Sequence, residues 1–195
     1  NAIGRLEHAI DALRLLCTND ERKAYNLAHK IGNVNVERQE LVEKSVAEAR
    51  QTIGSTIGSD PPGGSDPKII ILVSEHWHEG IIGLIASKIA EEFYRPTLVL
   101  TKTNDHYKGS ARSIPSFHIT KFLRSLKKYL IDVGGHKQAA GFTLAKNQLN
   151  LFVTAVRDRS EKLISDKDLE RKIEADLKIH LSKINLNLVK SLEVL

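Results

Sequence analysis

Five consecutive apolar residues, Ile69-Ile70-Ile71-Leu72-Val73, follow a stretch made almost wholly of turn formers, and that junction constrains the fold most. Residues 54–67 read Gly-Ser-Thr-Ile-Gly-Ser-Asp-Pro-Pro-Gly-Gly-Ser-Asp-Pro, a linker composition. An unbroken β-branched run offers solvent no polar face, so it predicts a strand covered on both sides and central in an α/β sheet. Residues 80–93 then carry Ile81, Ile82, Leu84, Ile85, Ile89 and Phe93 at helical spacing, Pro96 stops the helix, and 97–101 read as a second strand. A strand, helix and strand of these lengths predict a crossover with parallel pairing.

The remaining segments fit around that unit. A strand is expected at 107–113, then a helix at 117–131 capped by Ser116, with Lys121, Arg124, Lys127 and Lys128 outward. Gly134-Gly135-His136 follows as a turn, then a strand at 138–144, a helix capped by Asn147, an alternating strand at 171–181 and a final helix from 187. Upstream, Leu6, Ile10, Leu13 and Leu16 or Cys17 predict a short amphipathic helix. Thr18 and Glu21 then form a capping-box pattern. The apolar stripe beyond it, from Ala24 to Ile53, reads as one helix over 20–53, about 50 Å long at about 1.5 Å per residue, a connector between lobes. The alternative is a helical hairpin broken at Gly32 and Asn33. The fold class is therefore α/β: a mixed, partly parallel central sheet with flanking helices, preceded by a long connector helix. Its parts are 1–53 as a helical connector, 54–67 as linker, 68–165 as an α/β domain and 166–195 as a strand and a truncated helix.

Composition limits the function classes. The formal net charge of +5 permits a polyanionic partner without demanding one. A lone cysteine, Cys17, excludes an internal disulfide or a thiolate cluster and, on its apolar stripe, is expected to be buried. No run of about 18 apolar residues predicts a membrane span, so a cytoplasmic protein is expected. The absence of Met marks the chain as a piece or a processed product.

Two stretches carry residues suited to anions. In 134–137 a glycine pair exposes backbone N–H groups, His136 adds a ring donor and Lys137 a charge, which suits a phosphate; a plain helix C-cap is the alternative. In Gly109-Ser110-Ala111-Arg112-Ser113 small neighbours leave the guanidinium unobstructed, and its fork can hold two phosphate oxygens with Ser110 and Ser113 beside it. A surface ion pair is the alternative there. Trp77 and His78 lie between a strand end and a helix start, where α/β folds place ligands. His76 and His78 stand at a spacing that fits a metal pair. Nothing acidic or cysteinyl completes a set, and a packing Trp77 with a hydrogen-bonded His78 is the simpler reading.

Four stretches together resemble a known family: 1–6 (Asn-Ala-Ile-Gly-Arg-Leu), 77–83 (Trp-His-Glu-Gly-Ile-Ile-Gly), 108–114 (Lys-Gly-Ser-Ala-Arg-Ser-Ile) and 134–143 (Gly-Gly-His-Lys-Gln-Ala-Ala-Gly-Phe-Thr). In this order they resemble the DHH-associated domain that follows the catalytic DHH domain in RecJ-type single-strand exonucleases. Ala111 stands where the family often has Gly. The resemblance implies that Ser110 and Arg112 grip the nucleic-acid backbone or its terminal phosphate. It also implies that Gly134 and Gly135 allow close approach, that Arg5 contacts phosphate at the lobe junction, and that His136 is the catalytic contributor over the scissile phosphate. Trp77, His78, Ser113 and Lys137 are supporting residues. The aspartate motifs and the Asp-His-His signature of that family are absent here. The resemblance thus implies that no cofactor is bound by this chain and that Mn2+ or Mg2+ belongs to a DHH domain lying upstream. Its partners would be single-stranded nucleic acid, DNA first, and that DHH domain, with no membrane. The expected function is the substrate-binding part of a 5′-3′ single-strand DNA exonuclease of repair and recombination. The alternatives are a phosphodiesterase for short oligonucleotides or cyclic dinucleotides, and a non-catalytic nucleic-acid-binding module.

Overall fold

The computed structural model describes residues 3–57, 67–172 and 177–193. Two short helices, α1 (Ile3–Leu6) and α2 (Ile10–Cys17), precede α3 (Glu21–Ile57). At 37 residues α3 is about 55 Å long. It runs unbroken through Gly32, which meets nothing a methyl would touch. Its cap is Asp20, not Thr18: the Asp20 carboxylate accepts from the Lys23 N–H (3.1 Å), while the Thr18 hydroxyl accepts from the Asp20 N–H (3.2 Å). The carboxylate beside an uncapped helix start is the better acceptor. Cys17 is exposed at the end of α2, which packs on α3.

Then come β1 (Ile70–Ser74), α4 (Ile82–Phe93), β2 (Thr97–Lys102) and β3 (His106–Arg112). They are followed by α5 (Ile119–Arg124), β4 (Asp132–Gly135), β5 (Ala139–Ala145) and α6 (Leu149–Leu163). A last short helix, α7 (Leu186–Leu192), is exposed along most of its length. The five strands form one mixed sheet in the order β1-β2-β3-β5-β4, with β1 and β2 parallel and the other pairs antiparallel.

Two cores lie on the two faces of this sheet. On one, Val42, Val46, Ala49 and Ile53 of α3, spaced at helical period, meet Ile82, Ile85, Ala86 and Ile89 of α4 over Ile70, Leu72 and Val99. On the other, Leu98, Leu100, Phe142 and Leu144 meet Phe122 and Leu123 of α5 and Phe152 and Val156 of α6. The apolar run is thus covered on both faces, with Ile71 against the second core, but β1 is an edge strand and not central. Only Val73 near its end is exposed.

Several expected boundaries shift. The helix after Ser116 is short, starting at an N-cap His118 whose ring accepts from the Lys121 N–H. A separate 3₁₀ turn follows at Lys127–Tyr129. Ser116 instead donates to the Asp168 carbonyl (2.8 Å). Gly134 and Gly135 lie in a strand and not in a helix C-cap. Of the strand expected over 171–181 and assigned to the 166–195 part, residues 173–176 lie outside the described residues. The flanks at 171–172 and 177–180 are not strand. Most of the expected linker, 58–66, also lies outside them.

Candidate nucleic-acid interface

Strand alternation in β3 sorts its residues into two sets. Tyr107, Gly109 and Ala111 are buried. Tyr107 and Ala111 join the hydrophobic core, and a Cβ on Gly109 would stand 2.2 Å from the Phe142 ring. Lys108, Ser110 and Arg112 therefore share the opposite face. Register carries that face across the sheet: Ser110 pairs with Gly141, and Gly141 with Gly134. A side chain at Gly134 or Gly141 would meet nothing within 4 Å, so the row from Ser110 outward is a bare, solvent-facing floor.

Above β3 the floor is walled by the start of α4 and by α1. Arg5, His78, Gly83, Lys108, Ser110 and Arg112 line one open groove of about 630 Å³. On the far side of Arg112 a second cavity of about 370 Å³ is lined by Tyr94, Pro115, Ser113 and Gln138 among others. Gly80 permits this arrangement: a Cβ there would lie 1.7 Å from the Arg5 carbonyl oxygen, so α1 can rest on the β1–α4 turn only over glycine. Arg5 also donates to the Gly80 carbonyl at 3.4 Å.

Arg112 is half-buried, and its bonds go to neutral oxygens: the Ala111 carbonyl at 2.9 Å and the Ser110 hydroxyl at 3.3 Å. Among the described residues no carboxylate forms an ion pair with Arg112 or Arg5. Burial first, and then the nearby Arg5 charge, push the Arg112 guanidinium below its usual range. A desolvated cation facing another cation is a costly arrangement that an anion would relieve. Of the groove's carboxylates, Glu7 is drawn to Lys30 at 3.2 Å and Glu79 is exposed.

Of the other expected residues, only His78 lines this groove. His136 is exposed, and its backbone is fixed from two sides: its N–H donates to the Ala139 carbonyl (2.7 Å) and its carbonyl accepts from the Thr120 hydroxyl. Ala139 is the partner of Arg112 in register, which brings His136 and Arg112 to one end of the sheet, within about 10 Å between Cα atoms. Gly135, with φ 144°, supplies the bend before His136; a Cβ there would lie 2.2 Å from the Ala139 carbonyl. Lys137 is exposed, with its carbonyl accepting from the Ile119 N–H (3.0 Å).

His78 lines the groove, and its Nδ1 accepts from the Gly80 N–H at 3.1 Å, which makes Nε2 the nitrogen that carries hydrogen in the neutral ring. Trp77 is buried. Its indole N–H donates to Glu48 of α3 (3.0 Å) and its carbonyl accepts from the Thr101 hydroxyl (2.6 Å), tying α3 to the sheet. The Ser113 hydroxyl is used locally, donating to the Phe117 carbonyl at 2.8 Å. Among the described residues no three His, Cys, Asp or Glu side chains are grouped to hold an ion. Sequence reasoning missed Lys108, Gly83 and Gly141 as parts of this face. The i, i+2, i+4 spacing of Lys108, Ser110 and Arg112 was the available signal for the first.

A DHHA1 domain model matches residues 66–162. The chain is 31% identical over 197 residues to the single-stranded-DNA-specific exonuclease RecJ of Bacillus subtilis (strain 168), which takes in 100% of the chain and 24% of that relative. The crystal structure of RecJ in complex with Mg2+ from Thermus thermophilus matches with a TM-score of 0.69 at 32% identity, over 83% of this chain and 24% of that one. The corresponding complex with Mn2+ matches with the same score and identity, over 83% and 23%. The chain thus spans about a quarter of the length of these relatives.

Proposed function

The chain belongs to the DHHA1-domain family in its RecJ-type form, and from that premise we propose that it is the substrate-binding part of a RecJ-like 5′-3′ single-strand DNA exonuclease. The observation that carries the reading is Arg112: half-buried, beside Arg5, hydrogen-bonded to Ser110, and without a carboxylate partner among the described residues. Phosphate is the complementary anion, because it can take both arms of a guanidinium at once. The bare row of Ser110, Gly141 and Gly134 lets a sugar-phosphate backbone lie against the sheet without meeting side chains. His136, at the same end of the sheet, donates to a non-bridging oxygen as charge builds on the phosphate under attack. Lys137 adds positive charge beside it.

In this reading hydrolysis of the ester belongs to a DHH domain of the same protein outside this chain, which the chain's spanning only about a quarter of its RecJ relatives supports. Bound there, Mn2+ or Mg2+ would supply the activated water and offset phosphate charge. In this reading residues 1–53 tether the two domains and 68–165 form the clamp, in a cytoplasmic enzyme of DNA repair and recombination.

The test is binding of a fluorescein-labelled single-stranded oligonucleotide to the chain, followed by anisotropy over a salt titration. Binding that weakens with salt and is lost in Arg112→Ala supports the reading. Equal binding by wild type and Arg112→Ala contradicts it.

A further inference from the structure

We infer that Gly83 is a positioning residue: the missing side chain at the start of α4 is what seats the Arg112 guanidinium and the Ser110 hydroxyl in the groove. The inference rests on the phosphate-gripping role of those two residues. Gly83 lies in the first turn of a helix that buries Ile82, Ile85, Ala86, Ile89 and Ala90, and Ala would be the better helix former there. Something other than helix stability favours glycine there. A Cβ at Gly83 would stand 3.2 Å from the Ser110 Oγ and 3.3 Å from the Arg112 Nη2, closer than such contacts normally come.

The neighbours decide what that crowding means. At Gly80, Gly109 and Gly135 the obstacle is fixed: the Arg5 carbonyl at 1.7 Å, the Phe142 ring at 2.2 Å and the Ala139 carbonyl at 2.2 Å. Those glycines are needed for the fold. At Gly83 the near contacts are instead the outer atoms of two side chains that can swing away. The displaced atoms are the donors that face the groove, so a methyl group would spare the packing and move the ligand-holding atoms by a few tenths of an ångström. Glycine at 83 thus serves the geometry of the pair and not the stability of the helix.

The experiment compares thermal melting and oligonucleotide binding of the full chain for wild type, Gly83→Ala, Arg112→Ala and the double variant. Gly32→Ala, at an α3 site with nothing within 4 Å, is the control. Gly83→Ala is expected to keep or raise the melting temperature while weakening binding about five-fold, a fraction of what losing a charge-assisted hydrogen bond outright would cost. In the Arg112→Ala background the same change is expected to add much less, because the atom it displaces is gone. Gly32→Ala should leave binding as it was. If Gly83→Ala binds as wild type while Arg112→Ala loses binding, the inference is wrong and the phosphate reading stands. A Gly83→Ala chain that melts well below wild type marks Gly83 as a packing residue and also overturns it. If Arg112→Ala itself binds as wild type, both fall.

Discussion

Replacing Arg112 by Ala separates a functional cation from a structural one, because the two make opposite demands on stability. An arginine buried to hold a carboxylate leaves an orphaned charge when removed, at about 3–5 kcal/mol. Arg112 holds none: its partners are the Ala111 carbonyl and the Ser110 hydroxyl. Truncation therefore removes a partly desolvated charge and its repulsion with Arg5 and leaves no ion behind. Stability should change by less than about 1 kcal/mol, and in either direction. Binding should respond far more. A charge-assisted hydrogen bond contributes about 1.5–3 kcal/mol, and a guanidinium on one phosphate makes one or two of them. Half exposure favours the lower part of that range, so the affinity for a single strand should drop about 10- to 30-fold. The slope of log affinity against log salt should also become shallower by about 0.7 for the lost phosphate contact. Arg112→Lys should fall between, keeping charge and losing the fork. Anisotropy titrations between about 50 and 200 mM salt, with thermal melts of the same samples, measure all three. Unchanged affinity and slope, or a melt collapsed by several kcal/mol, would refute the reasoning.

Other outcomes follow from the same geometry. Trp77→Ala removes a buried indole and leaves Glu48 without its donor, so it should destabilise the chain by about 3–5 kcal/mol in denaturant unfolding. Purified chain should not cleave single strands in Mn2+ or Mg2+; metal-dependent cleavage that survives removal of contaminants contradicts the assignment of hydrolysis to another domain. In the protein that carries both domains, His136→Ala should lower kcat with little change in KM, as loss of a contact made in the transition state requires. Asp168, which accepts from the Ser165 hydroxyl (2.6 Å) and N–H (3.0 Å), is held below its usual range by those bonds. Its contribution is present above the unfolded-chain pKa and fades as pH falls through the lower folded value. Asp168→Asn should therefore flatten the loss of melting temperature below about pH 4.

The sequence made the parallel unit readable because each of its elements states its own period: an apolar run, a helical stripe, a proline stop and a second run. It could not say that β1 lies at the edge. Ile70 and Leu72 are covered by α3 and α4 and Ile71 by the second core, so coverage comes from helices and not from strands on both sides. The positive φ now seen at Gly135 was legible in the glycine pair, but the strand was not, since β4 is recruited by pairing with β5 and not by its own propensity. In the groove, Arg112, Ser110 and Arg5 were named from the motifs. Their lack of a carboxylate partner was not nameable, because it depends on where α1 comes to rest, over Gly80. Ser113 shows the reverse case: a hydroxyl beside the key arginine that the fold uses for a turn.

A crystal structure of the chain with a 5′-phosphorylated single-stranded oligonucleotide tests the central claim most directly. The account predicts a phosphate group hydrogen-bonded to Arg112 and Ser110, with Arg5 beside it and the adjoining backbone lying over Gly141 and Gly134. A strand bound elsewhere with this groove empty, or Arg112 turned to pair with Glu79, would contradict it.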